Sequence, residues 1–374
     1  MKVTSRPFAF NMWCIPNSTV ESDLAQGCAM TLTRDNHFVP QLYLRNFSSD
    51  SSKVHEYLTL VSRPRVPLWK TVDVAGTGYE TDLYTRIVQG KEADDIEQWM
   101  NRDFETPACE AIQNVLADRD LTQDDWNRLV RLLAAQIVRT PAFLVKNFKI
   151  WGEQTKLALR QSHNNLERRL LEAKAKGEKL VPKSGSTRSY IPLRFAVREI
   201  PDHKKVQLVT TVLVGRGHWF QAMEVVLTST VKVLHKHKWS IVEAPAGLPW
   251  FTSDDPVICL NYRSPTDYDF NAGWGVPRAN ILFPLSPRHM MLTQVEANSY
   301  PRRVPSRHIA RVFRGIIAQH AYRRIYSSER EEKIPYLRPR IVDEKLFRQE
   351  RIAWRNWYES QNEAEKQFWD ESQE

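Results

Sequence analysis

The twelve residues Asn36-His37-Phe38-Val39-Pro40-Gln41-Leu42-Tyr43-Leu44-Arg45-Asn46-Phe47 constrain this chain more than any other stretch. They hold an imidazole, a proline-fixed bend, an amide, a phenol, a guanidinium and several large apolar side chains, a mixture too dense for a solvated leader. Phe38, Leu42, Leu44 and Phe47 supply anchors for a core. His37, Gln41, Tyr43 and Arg45 supply polar groups that converge on a site, with Gln41, Tyr43 and Arg45 on its substrate-binding side. The remainder of the chain is expected to be built on this segment.

His37 to Phe47 resembles the signature of a widespread, uncharacterised microbial family, a domain of unknown function. That signature reads His-Tyr-Val-Pro-Gln and continues into Phe-Tyr-Leu-Arg-x-Phe. Here Phe38 replaces the usual tyrosine and Leu42 the usual phenylalanine. Gln136-Ile137-Val138-Arg139-Thr140-Pro141, Thr252-Ser253-Asp254-Asp255-Pro256-Val257 and Phe283-Pro284-Leu285-Ser286-Pro287 are also similar to the family, with Asp255 where asparagine is commoner. The resemblance spans about residues 34 to 330. It implies a set of shared positions and no known activity.

With 374 residues, 42% of them apolar, the chain is long enough to bury a substantial core. Its apolar runs, such as Val212-Leu213-Val214, fall far short of the roughly 20 residues that a membrane helix needs. Met1 to Met30 has no basic flank leading into an unbroken apolar stretch, so a secretory signal is not expected and the chain reads as cytoplasmic. Cys14, Cys28, Cys109 and Cys259 form no Cys-x-x-Cys pair, which argues against a disulfide framework and a thiolate zinc site. A net charge of +9 and a pI near 9.3 point to a polyanionic partner, nucleic acid or another phosphorylated ligand.

Taken in order, residues 1–29 lack core periodicity and read as a flexible extension. They precede one α+β domain over 30–330 and a charged helical extension over 331–374 that docks weakly. A strand is expected from Lys53 to Leu60 and a short strand or ordered loop from Tyr79 to Thr85. Apolar spacing predicts a helix from Ile96 to Leu116, kinked at Pro107, and a second one opened by Thr122 with Asp125 and ended at Thr140-Pro141. A third runs from Pro141 to about Ala175, and Pro182 to Thr187 form a mobile connection. Residues 206–235 fit strand at first and helix later. Trp239–Val242, Trp250–Thr252, Pro256–Leu260, Ile281–Leu285 and Met290–Thr293 are expected strands of one sheet, covered by a helix over 307–325. The fold class is therefore α+β: a helical N-terminal half, to about residue 180, packed on a C-terminal mixed or antiparallel sheet from about 239, with a capping helix.

His37 is the strongest chemical candidate, as general acid, base or neutral metal ligand; the alternative is a histidine that bridges strands. Asp254 and Asp255 should project to opposite faces, so one at most serves a site, and Asp254 occupies the less variable carboxylate of the family-like pattern. Its alternative is a strand-end turn in which Ser or Asp bonds the backbone. Gln136 and Arg139, at i and i+3, share a helix face able to clamp a phosphate; the alternative is an internal network tying the helix to the motif. Glu97 and Glu105 extend His37 and Asp254 into a candidate set for a hard divalent metal, the only cofactor the pattern indicates.

Arg314 and His320 have the spacing of a family of helical ribonucleases, but His320 falls on an apolar stripe, which favours a structural histidine. There is no Walker loop, Gly-x-Gly-x-x-Gly, Gly-x-Ser-x-Gly or His-Glu-x-x-His. The leading expectation is a phosphate-directed hydrolase, a nuclease by preference, with His37, Asp254, Arg139 and Gln136 as its catalytic group. The competing expectation is a non-catalytic binding or regulatory module whose motif residues form a structural polar core. Arg168, Arg169, Lys174, Lys176, Lys179, Lys183 and Arg188 are the expected nucleic-acid contacts; a solubilising face is the bland reading of the same residues.

Overall fold

The computed structural model describes residues 32–50, 52–88, 90–178, 189–200, 205–297 and 302–370. The expected extension over 1–29 and the connection from Pro182 to Thr187 lie outside the described residues.

Local rules set the helices of the middle of the chain. The Thr122 hydroxyl accepts the Asp125 backbone N–H at 3.1 Å, and the Asp125 carboxylate accepts the Thr122 backbone N–H at 2.9 Å, which closes a capping box. The helix Gln123–Val138 then buries Leu129, Leu132, Leu133 and Val138. Ahead of it, the helix expected to kink runs as Asp95–Met100, a π-helical turn Asn101–Glu105, and Thr106–Leu116. Pro107 accounts for the wide turn, because it has no N–H for the carbonyl of Asp103 four residues back and its ring would clash there. Arg131 Nη2 of the neighbouring helix donates to that freed carbonyl at 3.2 Å.

The chain divides into two compact units. The larger combines Thr33–Phe143 with Ala222–Glu359. Its six-stranded sheet has the order Asp267–Asp269, Ile258–Ser264, Asn280–Pro284, His289–Gln294, Ser240–Glu243, Arg302–Arg303. Only the last pair is parallel. A four-stranded antiparallel sheet has the order Thr252–Ser253, Arg324–Ser327, Lys53–Leu58, Trp69–Asp73.

The fold class is α+β, as expected: four of the five expected C-terminal strands share the six-stranded sheet, and the fifth, Thr252–Ser253, joins the four-stranded one instead. Thr252–Ser253 turns away because Ser253 Oγ donates to the Asp255 carbonyl at 2.9 Å and accepts its N–H at 3.2 Å, and Pro256 then removes a donor. Lys53–Leu58 finds its partner near the other end of the chain, pairing His55 with Ser327 and Tyr57 with Ile325.

Ser306 caps the helix Arg307–His320, accepting the Ile309 N–H at 3.3 Å. The helix covers the core as expected: Ala310, Ile316 and Ile317 pack with Val242, Trp250, Phe251, Leu282 and Met290. Full burial of each large apolar side chain there is worth about 1.5–3 kcal/mol. The helix stops at His320, short of 325, since Arg324–Ser327 is drawn into the four-stranded sheet. Among the described residues no helix is long and apolar enough to cross a membrane.

The smaller unit is built, among the described residues, from 144–221 and the end of the chain from Ser360. It carries most of the helix Pro141–Lys176 and the antiparallel hairpin of Leu193–Ile200 with Lys205–Val212. His163 Nε2 and Thr210 Oγ1 meet at 2.8 Å. Residues 206–235 resolve into the second strand of that hairpin, the helix Arg216–Val225, a π-helical turn Val226–Thr230 and Val231–Leu234. The final helix, Trp357–Asp370, is anchored firmly. Arg216, 1% exposed, gives its backbone N–H to Gln361 Oε1 at 2.8 Å and its guanidinium to Glu365 at 2.7 Å and to Asn362.

Candidate functional site

The motif enters the larger unit as the strand Asp35–His37, paired with Tyr79–Thr81 so that His37 lies opposite Tyr79. Val39 N–H donates to the Gly78 carbonyl at 3.0 Å. Gly78 has φ +70°, and a Cβ there would stand 3.2 Å from Val39 Cβ, so only glycine fits without strain. Pro40 cannot extend the strand and opens the single turn Gln41–Leu44, its carbonyl accepting the N–H groups of Tyr43 and Leu44. Phe38, Val39, Tyr43, Leu44 and Phe47 are all buried.

Tyr43 anchors this turn to both sheets. Its hydroxyl donates to the Pro284 carbonyl at 2.6 Å and meets Thr252 Oγ1 at 2.6 Å, while its ring stacks on Phe283 at 5.1 Å. Three of the family-like stretches thus meet at one phenol, whose pKa burial raises. His37, Gln41 and Arg45 form a string along one face: His37 Nε2 to Gln41 Nε2 is 3.3 Å, and Arg45 Nη2 donates to Gln41 Oε1 at 3.2 Å. His37 is half-buried and Arg45 exposed. Burial and the nearby Arg139 charge lower the His37 pKa.

Arg139 follows the capped helix Gln123–Val138 and is wholly buried. Its guanidinium donates to Glu105 and to the main-chain carbonyl of His37, and lies 3.7 Å from Glu97. Its own carbonyl accepts the Tyr84 hydroxyl at 2.5 Å. Burial opposes the Arg139 charge, but Glu105, Tyr84 and Glu97 outweigh that and raise its pKa. Burial pushes Glu97 up to about 7 despite Arg139. Gln136 is also wholly buried, and its amide has no hydrogen-bond partner among the described residues. The expected Gln136 and Arg139 clamp is therefore closed to solvent.

Asp254 is 3% exposed, and its carboxylate accepts the backbone N–H groups of Tyr322 at 3.0 Å and Arg323 at 2.8 Å. Burial pushes it up to about 6, against the pull of Arg324 and the backbone donors. Asp255 points elsewhere, Oδ1 lying 3.4 Å from the Thr140 hydroxyl. The turn reading of Ser253-Asp254-Asp255 thus describes the geometry, and Asp254 ties off the end of the capping helix.

His37, Glu97 and Asp254 are not gathered as a ligand set. Among the described residues no group of three or more His, Cys, Asp or Glu side chains is arranged to hold a metal, and a guanidinium sits between Glu97 and Glu105. Arg314 is buried, donating to the Pro249 carbonyl and pairing Glu331 at 2.7 Å, while His320 Nδ1 meets the Asp255 carbonyl at 3.0 Å.

A serine, histidine and aspartate chain does occur: Ser286 Oγ to His289 Nδ1 is 3.0 Å, and His289 Nε2 to Asp118 Oδ1 is 3.0 Å. Ser286 is 4% exposed and its hydroxyl already accepts the N–H groups of Arg288 and His289, so it locks a turn. Sequence reasoning also passed over Trp99, Arg131, Lys232 and His235, which line one cleft. Pro107, by freeing the carbonyl that fixes Arg131, was the available signal.

The sequence match covers residues 35–331, so it takes in the motif, the Arg139 helix, both sheets and the capping helix. The chain belongs to the DUF4238 family of proteins of unknown function. What that family match spans here is the closed polar core around Arg139 and the Tyr43 anchor. No curated protein and no solved structure matches the chain.

Proposed function

We propose that this DUF4238 member is a binding or regulatory module whose motif residues form a structural polar core, and that its partner is nucleic acid. The observation that carries the first part is Arg139, wholly buried, with its guanidinium committed to Glu105 and to the His37 carbonyl. Asp254, bonded to two backbone N–H groups, supports the same reading. A phosphate-directed hydrolase would instead need these groups to face a ligand.

His37→Ala separates the two. In the binding reading the anchoring of Arg139 runs through the His37 main chain, which the substitution keeps, so nucleic-acid retention persists and stability falls by about 1–3 kcal/mol as the imidazole's contacts with Gln41 and Tyr79 are lost. Loss of a phosphodiesterase activity with unchanged melting would sink the reading.

The partner is read from the far half of the helix Pro141–Lys176. Arg160, Arg169, Lys174 and Lys176 are exposed there and have no acidic partner among the described residues, while Arg168 lies 3.6 Å from Glu172. Lys179, Lys183 and Arg188 lie outside the described residues. Basic side chains on a phosphate backbone release counterions, so affinity should fall with salt at a log-log slope of roughly −0.7 to −0.9 per contact. Neutralising Arg168, Arg169 and Lys176 together is expected to weaken binding to all sequences alike and make that slope shallower, as filter binding over a salt series would show. Failure to retain single- or double-stranded nucleic acid at low salt removes the nucleic-acid partner.

A further inference from the structure

We propose that a cleft in the larger unit, between the turn Asn101–Glu105 and the segment from Val226 to His235, binds a small phosphate monoester carrying a flat ring, a nucleoside monophosphate in kind. The inference goes beyond the nucleic-acid surface and does not depend on it.

Two π-helical turns shape the cleft, and such turns recur at functional sites. Pro107 explains the first. The second falls in a run of stiff β-branched side chains, Val225, Val226, Thr228, Thr230 and Val231, which crowd a regular helix. The cleft has a volume of about 270 Å³, just below the usual range of small-molecule sites and suited to a small ligand.

One wall is aromatic. Trp99 meets Phe104 edge to face at 5.4 Å, and the Arg131 guanidinium lies over the Phe104 ring at 4.8 Å. The other wall carries nitrogen donors, Lys232 and His235 sharing a face at i and i+3.

The donors in this cleft outnumber their acceptors. Among the described residues, the Lys232 ammonium, the His235 imidazole and the Trp99 indole N–H make no hydrogen bond or ion pair. Arg131 uses one nitrogen on the Asp103 carbonyl. The acid in the lining, Asp103, is taken by Arg102 at 2.7 Å, and the Thr228 hydroxyl donates to the Glu224 carbonyl at 2.7 Å.

Burial lowers the His235 pKa and the Arg131 charge lowers it further, which marks the cleft as positive in potential. An anion is the missing partner, and charge-assisted bonds from a guanidinium and an ammonium suit phosphate oxygens. The aromatic wall then selects an ester with a ring to lay against Trp99 over inorganic phosphate.

Calorimetric titration of the full chain with adenosine 5′-monophosphate, inorganic phosphate and adenosine tests this. The monophosphate is expected to bind at least tenfold more tightly than either fragment. Lys232→Gln, at an exposed position that leaves the core intact, is expected to lose at least tenfold for the monophosphate and for phosphate. Trp99→Leu is expected to lose affinity for the monophosphate and leave phosphate binding unchanged.

Absence of binding at millimolar ligand, or binding that Lys232→Gln leaves untouched, overturns the site. Equal affinity for phosphate and monophosphate overturns the nucleoside assignment. Nucleic-acid retention by Lys232→Gln, and monophosphate binding by the Arg168, Arg169 and Lys176 variant, are both expected to stay at wild-type levels, so failure of either proposal is seen separately.

Discussion

Arg139→Ala is expected to lower the free energy of unfolding by about 3–5 kcal/mol, the usual consequence of removing one partner from a buried ion pair. The wholly buried guanidinium pairs Glu105, lies 3.7 Å from Glu97 and holds the His37 carbonyl. Without it two carboxylates share a closed space and a main-chain acceptor is orphaned. Burial already raises Glu97 to about 7, and loss of the neighbouring cation raises it further. Glu97 then holds a proton at lower pH that the unfolded chain holds less tightly, so the deficit of the variant is smaller at pH 5 than at pH 8. Arg139→Lys keeps the charge and loses the planar fork, and is expected to fall between wild type and the alanine variant. Urea unfolding at pH 5 and pH 8 compares all three. A deficit under about 1 kcal/mol at pH 8, the size of one ordinary hydrogen bond, would show that the motif does not depend on this clasp.

The parts of the fold that were legible in the sequence are those fixed within a few residues. Thr122 with Asp125, Pro107, Pro141 and the apolar stripe of Arg307–His320 each act through their own backbone, and each element stands where local chemistry places it. What was hidden depends on partners far along the chain. Arg139 reaches Glu105, 34 residues away, and the His37 carbonyl, 102 away, and nothing in the i, i+3 spacing of Gln136 and Arg139 distinguishes a surface clamp from a core clasp. Tyr43 finds Thr252 and Pro284 over 209 and 241 residues, so these contacts of its hydroxyl are a property of the assembled sheets. The division of the sheet has the same origin: Lys53–Leu58 takes Arg324–Ser327 as its neighbour, which no local pattern records. The cleft of Trp99, Arg131, Lys232 and His235 likewise exists only once the helices pack.

Asp254→Ala is expected to cost roughly 2–4 kcal/mol, since each buried N–H left without an acceptor costs about 1–3 kcal/mol and the two here are neighbours that relax together. Tyr322 and Arg323 lose their acceptor at the point where the chain leaves the capping helix for the strand Arg324–Ser327, so the four-stranded sheet is also weakened. Arg324, 3.6 Å from Glu56 and 3.7 Å from Glu80, loses a third nearby carboxylate. The pH dependence identifies the cause. Burial lifts the Asp254 carboxyl from its ordinary 3.8 to about 6. Between those values the folded chain keeps a proton that the unfolded chain releases, so the stability contributed by this group falls as pH rises through that window. The alanine variant has no such proton, whereas Glu97 titrates in both proteins and cancels from the comparison. The gap between wild type and variant is therefore expected to be widest near pH 4 and to narrow by pH 7 in urea unfolding. A gap that widens with pH would mean that the two backbone donors outweigh burial and hold Asp254 below its ordinary value. Asp254 would then be an ionised cap, gripping the turn most strongly at neutral pH.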